Sequence, residues 1–203
     1  TDDENYLIIS AANTTTGNEL YVQDLTKPGS KIVNILSGFE SSTNIIDNDG
    51  ETFYVQTNLN APNNKLVKMN IRQPESKNWV DVIPETEHVL NVSTGGGYLF
   101  ANYLKDAISV IEQYDYTGKK IREIQLPGVG SAGGFSGKKK EKTIYYGFSN
   151  YITPSTSFKF NVDNGQSEVY IKPKVKFNSD EFESKQVFYT SKDGTKIPMI
   201  ITY

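Results

Sequence analysis

Four short apolar runs recur along the chain at a near-constant interval, and this repeat limits the possible folds more than any other feature. The runs are residues 6–10, 52–55, 97–100 and 143–146; marked at Tyr6, Phe53, Tyr98 and Ile144, they lie 47, 45 and 46 residues apart. A polar loop follows each run, and then a second strand pattern at residues 19–25, 65–71, 108–116 and 156–162. A short third pattern comes next, at 31–36, 79–83, 119–126 and 166–171. A further apolar stretch precedes the second, third and fourth marks, at 44–46, 89–92 and 132–135; nothing comparable precedes the first.

Four short strands in every 46 or so residues is the period of a β-propeller blade. A four-stranded antiparallel sheet cannot bury both faces alone, whereas successive blades packed face to face make a continuous core. In residues 65–71 Leu66, Lys68 and Ile71 form no helical stripe, which favours half-buried strands. Turn residues fall between the patterns: Asp47-Asn48-Asp49-Gly50, Asn63-Asn64, Thr117-Gly118 and Asp163-Asn164-Gly165. No stretch has a helical period. The expected fold is therefore all-β, a partial propeller of about four four-stranded antiparallel blades with the first incomplete. Composition agrees, because 13 Tyr and 10 Phe stand against one Trp and two Met, a balance that favours strands.

The end of the chain reads differently. Residues 186–189 and 197–203 are apolar, β-branched or aromatic, and Ser191-Lys192-Asp193-Gly194-Thr195-Lys196 lies between them. Asp-Gly between two such runs signals a hairpin, because Gly accepts the positive φ of a tight turn. The second strand of that hairpin runs to the last residue, which suggests a chain cut in mid-fold.

Val187-Phe188-Tyr189 followed by Ser191-Lys192-Asp193-Gly194-Thr195-Lys196-Ile197-Pro198-Met199 resembles the segment of prolyl oligopeptidases where the chain leaves the propeller and enters the α/β-hydrolase domain. Residues 56–63 (QTNLNAPN) resemble the b–c loop of a blade in that family; so do residues 129–138 (VGSAGGFSGK), with Ser149-Asn150-Tyr151-Ile152-Thr153-Pro154 after them. The resemblance covers most of residues 6–203 and is most specific in the last 75 or so. It implies a propeller over 1–176, with blades at about 1–37, 43–84, 88–127 and 131–173. Residues 177–203 would then be a linker and the first hairpin of the hydrolase domain. It also implies a parent serine peptidase that cleaves short peptides after proline, with the propeller covering the active site and gating entry. The Ser–Asp–His triad of such enzymes lies in the hydrolase domain, so no catalytic residue is assigned to this chain and the chain alone should be inactive. Residues 89–97 and 131–135 would line the tunnel or central cavity, and Ser93 and Thr94 are the candidate peptide-facing residues. A stand-alone β-propeller that scaffolds protein contacts is the alternative, since propellers carry many unrelated functions.

Other patterns carry less. Gly128-Val129-Gly130-Ser131-Ala132-Gly133 matches a dinucleotide-binding spacing, but no helix follows whose N-terminus could hold a pyrophosphate. Ser136, in Gly134-Phe135-Ser136-Gly137, lacks the spacing and the helix of a nucleophile elbow. His88, the one histidine, sits between loop residues and reads as solvated. Asp47-Asn48-Asp49-Gly50-Glu51 has its glycine at the wrong place for a calcium loop and reads as a hairpin turn. Lys138, Lys139, Lys140 and Lys142 read as a solvated turn. With no cysteine, thiolate metal sites and disulfides are excluded. No metal or cofactor is expected.

A net charge of −3 gives no footprint for nucleic acid or an anionic membrane, and neither is expected as a partner. No apolar run reaches the roughly 18 residues of a membrane helix. No signal peptide opens the sequence; cytoplasm and periplasm both stay open. The expected partners are short proline-containing peptides, met through the whole enzyme, and the hydrolase domain. An open arc of blades would also expose an edge. Either a homodimer forms, or the terminal hairpin folds back beside the first blade.

Overall fold

The computed structural model describes residues 1–203. It is all-β, with seventeen strands, two 3-10 turns (Ser76–Asn78 and Ser179–Glu181) and no α-helix. Successive strands pair antiparallel with their chain neighbours, as the apolar repeat anticipates.

The first sheet has three strands, β1 (Tyr6–Ala11), β2 (Glu19–Asp24) and β3 (Val33–Leu36). The second has four, β4 (Thr43–Asp49), β5 (Thr52–Thr57), β6 (Lys65–Asn70) and β7 (Val80–Ile83). The third is β8 (Leu90–Gly95), β9 (Tyr98–Lys105), β10 (Ile108–Tyr114) and β11 (Lys120–Glu123). The fourth is β12 (Ser131–Ser136), β13 (Thr143–Ser149), β14 (Thr156–Asn161) and β15 (Ser167–Ile171). A two-stranded hairpin, β16 (Ser184–Thr190) and β17 (Lys196–Thr202), ends the chain. The chain forms two compact units, residues 1–92 with 116–118, and residues 93–115 with 119–203.

In the first unit, β2 buries alternate residues, as a period of two allows, while β5 and β6 also bury neighbouring ones. Leu20 and Val22 on β2, Phe53 and Val55 on β5, and Val67 and Met69 on β6 form one core with Tyr6 and Ile35. The Tyr6 ring meets Phe53 edge-on at 5.0 Å. Each such side chain contributes about 1.5–3 kcal/mol when fully buried. The two sheets are also joined by a buried amide. Asn18 Oδ1 accepts from Thr43 N at 2.7 Å, and its Nδ2 donates to the Thr43 carbonyl at 2.8 Å and to Ser10 Oγ at 3.0 Å. Gly17 lets the chain pass there: its φ is +75°, and a Cβ would lie 1.8 Å from the Phe39 carbonyl oxygen.

In the second unit the core is aromatic. Phe135 stacks on Tyr146 at 4.4 Å and on Phe100 at 5.3 Å, Tyr146 stacks on Phe158, and Phe160 meets Phe100 and Phe135 edge-on. Phe135 lies at a β-bulge where the β12–β13 register shifts, and its φ is +45°. That left-handed backbone is uncommon for a bulky residue; the buried stack holds it.

Several readings of the sequence need correction. Asp47, Asn48 and Asp49 are not a turn but the end of β4, and the reversal is at Gly50 and Glu51. A bulge at Ile46 turns Asp47 inward, so it and Asn48 are buried. Residues 131–136 form a strand rather than a b–c loop, whereas 58–64 do connect β5 to β6 and 150–155 connect β13 to β14. The last strand of the third sheet, β11, is shorter than 119–126. The terminal hairpin pairs only with itself and adds no strand to the first sheet.

Candidate functional site

Ser93 and Thr94 lie on β8, just before the Gly96-Gly97 reversal into β9, and both are half-buried. Their polar groups join the third sheet to the fourth. Ser93 Oγ donates to the Phe135 carbonyl at 3.3 Å, Gly137 N donates to the Thr94 carbonyl at 3.2 Å, and Gly96 N donates to the Lys138 carbonyl at 3.2 Å. The run Gly95-Gly96-Gly97 permits this approach. A Cβ at Gly96, whose φ is +60°, would come within 2.6 Å of Val162 Cγ1 and 2.8 Å of the Glu141 carbonyl. The small uncharged stretch therefore has a packing role in the second unit.

The opposite ends of these sheets carry an opening that the terminal hairpin also borders. A cavity of about 320 Å³ is lined by Ala107, Ile108, Gly130, Ser131, Ser149, Tyr151 and, from the hairpin, Ile200. Tyr151 stands out from it, 78% exposed. Asn150 shapes the rim: its Nδ2 donates to the Val129 carbonyl, and its Oδ1 accepts from Ile152 N and Thr153 N. The lining can meet a peptide with hydroxyls and an aromatic face. It has no nucleophile–base pair.

Nothing converges on His88. It is in a loop, with Nε2 3.5 Å from Glu87 Oε1. Ser136 is exposed on a strand that leads to another strand, so no elbow forms. The lysines at 138–142 occupy the β12–β13 reversal, where Lys142 pairs with Asp163 at 3.0 Å. No group of three or more His, Cys, Asp or Glu is placed to hold a metal ion.

Reasoning from the sequence missed the burial of Asp47. Its carboxylate accepts a short hydrogen bond from Tyr116 Oη, and the Tyr116 ring meets Tyr54 edge-on at 4.8 Å. Burial, then the bond to Asp47, pushes the Tyr116 hydroxyl well above its ordinary pKa. Gly118 permits this docking, since a Cβ there would be 2.2 Å from the Val82 carbonyl oxygen. An acidic strand end followed far along the chain by Asp-Tyr-Thr-Gly was the available signal, but nothing in it names the partner.

Comparison with known proteins fits this geometry. The family described as "Prolyl oligopeptidase, N-terminal beta-propeller domain" matches residues 1–173. The prolyl endopeptidase of Elizabethkingia miricola is 57% identical over 202 residues, covering 100% of this chain and 28% of the relative. That of Dictyostelium discoideum is 36% identical over 191 residues, covering 87% of this chain and 25% of the relative. The solved apo structure of prolyl oligopeptidase B from Galerina marginata superposes with a TM-score of 0.90 at 30% identity, covering 100% of this chain and 30% of that one. A structure from work on two prolyl endopeptidases gives a TM-score of 0.87 at 32% identity, with 100% and 30% covered. The chain thus spans less than a third of the length of these relatives. With a family match over most of its length and the sheet pattern of propeller blades, the chain belongs to the prolyl oligopeptidase family and falls in its N-terminal β-propeller domain.

Proposed function

We propose that this chain serves a serine peptidase that cleaves short peptides after proline, and that its role is to restrict which peptides reach the catalytic centre. The observation that carries this reading is the 57% identity, maintained along the whole chain, to a prolyl endopeptidase. The chemistry of cleavage belongs to a Ser–Asp–His triad outside these residues. What this part supplies is a wall of antiparallel sheets with apolar cores and close backbone joints at the glycine run. A wall of this kind selects by size, because a folded protein cannot thread where an extended peptide can. In this reading residues 1–176 are propeller, in blades at about 1–37, 43–84, 88–127 and 131–173. Residues 177–203 lead into the hydrolase domain, and Ser93 and Thr94 face the central tunnel of the whole propeller, away from the 320 Å³ opening.

A chimera tests it. These residues replace the matching segment of the E. miricola prolyl endopeptidase, and the product is assayed on a chromogenic Gly-Pro peptide, on a folded protein substrate, and by fluorophosphonate labelling. The expected result is labelling and cleavage of the short peptide, with the folded protein spared and the isolated chain inert. A folded chimera that cut the folded protein as fast as the peptide would sink the gating role. One that neither labelled nor cleaved would sink the peptidase reading. In the same chimera, Thr94→Trp should lower kcat/KM more for a long peptide than for a dipeptide; equal effects would remove Thr94 from the peptide path.

A further inference from the structure

The terminal hairpin is held in the second unit at a single polar point. Gln186 and Ile200 are cross-strand partners on β16 and β17, so their side chains share one face of the hairpin. Gln186 Nε2 donates to the backbone carbonyl of Asp106 at 2.5 Å. Ile200 lies beside Ala107 and Ile108 at the wall of the 320 Å³ cavity. The other hydrogen bonds of β16 and β17 stay within the hairpin and its flanks, such as Lys196 Nζ to Thr190 Oγ1 and the reciprocal backbone pair of Glu183 and Tyr203. No strand of another sheet pairs with it.

The accepting carbonyl belongs to an unusual turn. β9 and β10 are joined by Asp106 and Ala107 alone, with Lys105 opposite Ile108. Both turn residues have positive φ, +49° and +68°. A two-residue hairpin of this kind takes Asn-Gly or Asp-Gly most readily; Ala in the left-handed region is disfavoured. Backbone held in a disfavoured conformation marks a place where the surroundings fix geometry. An isolated two-stranded hairpin is at best marginally stable in water, so an outside contact has a large effect on whether it forms.

We infer that Gln186 is a positioning residue: its amide, donating to the strained Asp106–Ala107 turn, docks the terminal hairpin on the third sheet and fixes its direction over the cavity. Ile200 lies beside the bond at the cavity wall.

Amide hydrogen exchange on the intact chain, resolved by peptide, tests this. Gln186→Glu and Gln186→Met both remove the donor, and each should lower protection of residues 184–203 by about three- to tenfold while β13 and β14 keep theirs. Gln186→Lys restores a donor and should recover most of the protection. The inference is overturned if Gln186→Glu and Gln186→Met leave the hairpin as protected as the unaltered chain, if Gln186→Lys loses as much as they do, or if protection falls equally in every sheet.

Discussion

Asn18 in the first unit and Gln113 in the second are buried amides where two sheets meet, and the two are treated differently. In the first unit Asn18 uses both ends, exchanging bonds with the backbone N–H and carbonyl of Thr43. In the second, Gln113 donates from Nε2 to the Val162 carbonyl at 2.9 Å, while its buried Oε1 has no partner. A fully satisfied buried amide specifies one arrangement; a half-satisfied one forfeits part of that gain to desolvation. The first unit therefore relies on a polar clamp between its sheets. The second relies on the aromatic stack around Phe135 and on glycine-mediated close approach, and tolerates a weak polar joint.

Four substitutions can break or sharpen that contrast. Phe135→Ala should have the largest effect, about 3–5 kcal/mol off unfolding stability, because the ring touches Phe100, Tyr146 and Phe160 and its loss leaves a cavity. Urea denaturation measures it, and a loss below about 1 kcal/mol would mean that the stack does not hold the second unit. Asn18→Ala should come next, at about 2–3 kcal/mol, since it strands the N–H and carbonyl of Thr43. Hydrogen exchange should place the loosening in β1–β6; loosening confined to β8–β15 would contradict the clamp.

Tyr116→Phe removes the hydrogen bond to Asp47 and should cost about 1–2 kcal/mol near neutral pH. Its pH dependence has a defined sign. The folded-state pKa of Tyr116 is raised, so its contribution is intact below the unfolded value of about 10 and is lost as pH rises through the folded one. The unaltered protein should thus lose its advantage over Tyr116→Phe on the alkaline side, as thermal melts at pH 7, 10 and 11 would reveal. A gap that widened with pH would refute the assignment. Gln113→Met should be the mildest, within about 1 kcal/mol, because it removes an unpaired acceptor along with one bond. A loss as large as that of Asn18→Ala would erase the difference between the two amides.

The propeller pattern was legible in the sequence because it is local. Buried residues alternate on β13 and β14 and form short consecutive runs on β5, β6 and β9, both visible in the text, and the marks at Tyr6, Phe53, Tyr98 and Ile144 all fall within strands. The three-strand first sheet was legible from the missing fourth pattern, and the Asp193-Gly194 reversal from turn chemistry. The run at Gly95-Gly96-Gly97 was visible too, but its meaning was not. In the sequence it reads as a small, uncharged stretch on the peptide side. In the fold it is the place where backbone meets Val162 and Glu141.

The sequence by itself determined strand number, strand order and the antiparallel meander, since hydrophobic period and turn residues act over a few positions. Only the tertiary structure decided the joints. Asp47 meets Tyr116 across 69 residues, Gln186 meets Asp106 across 80, and Gln113 meets Val162 across 49. Phe135 holds a left-handed backbone because three rings from other strands surround it. Such pairings depend on which strand ends the stacked sheets bring together, and a bulge of one residue, as at Ile46, is enough to turn an acidic side chain from solvent into the interior.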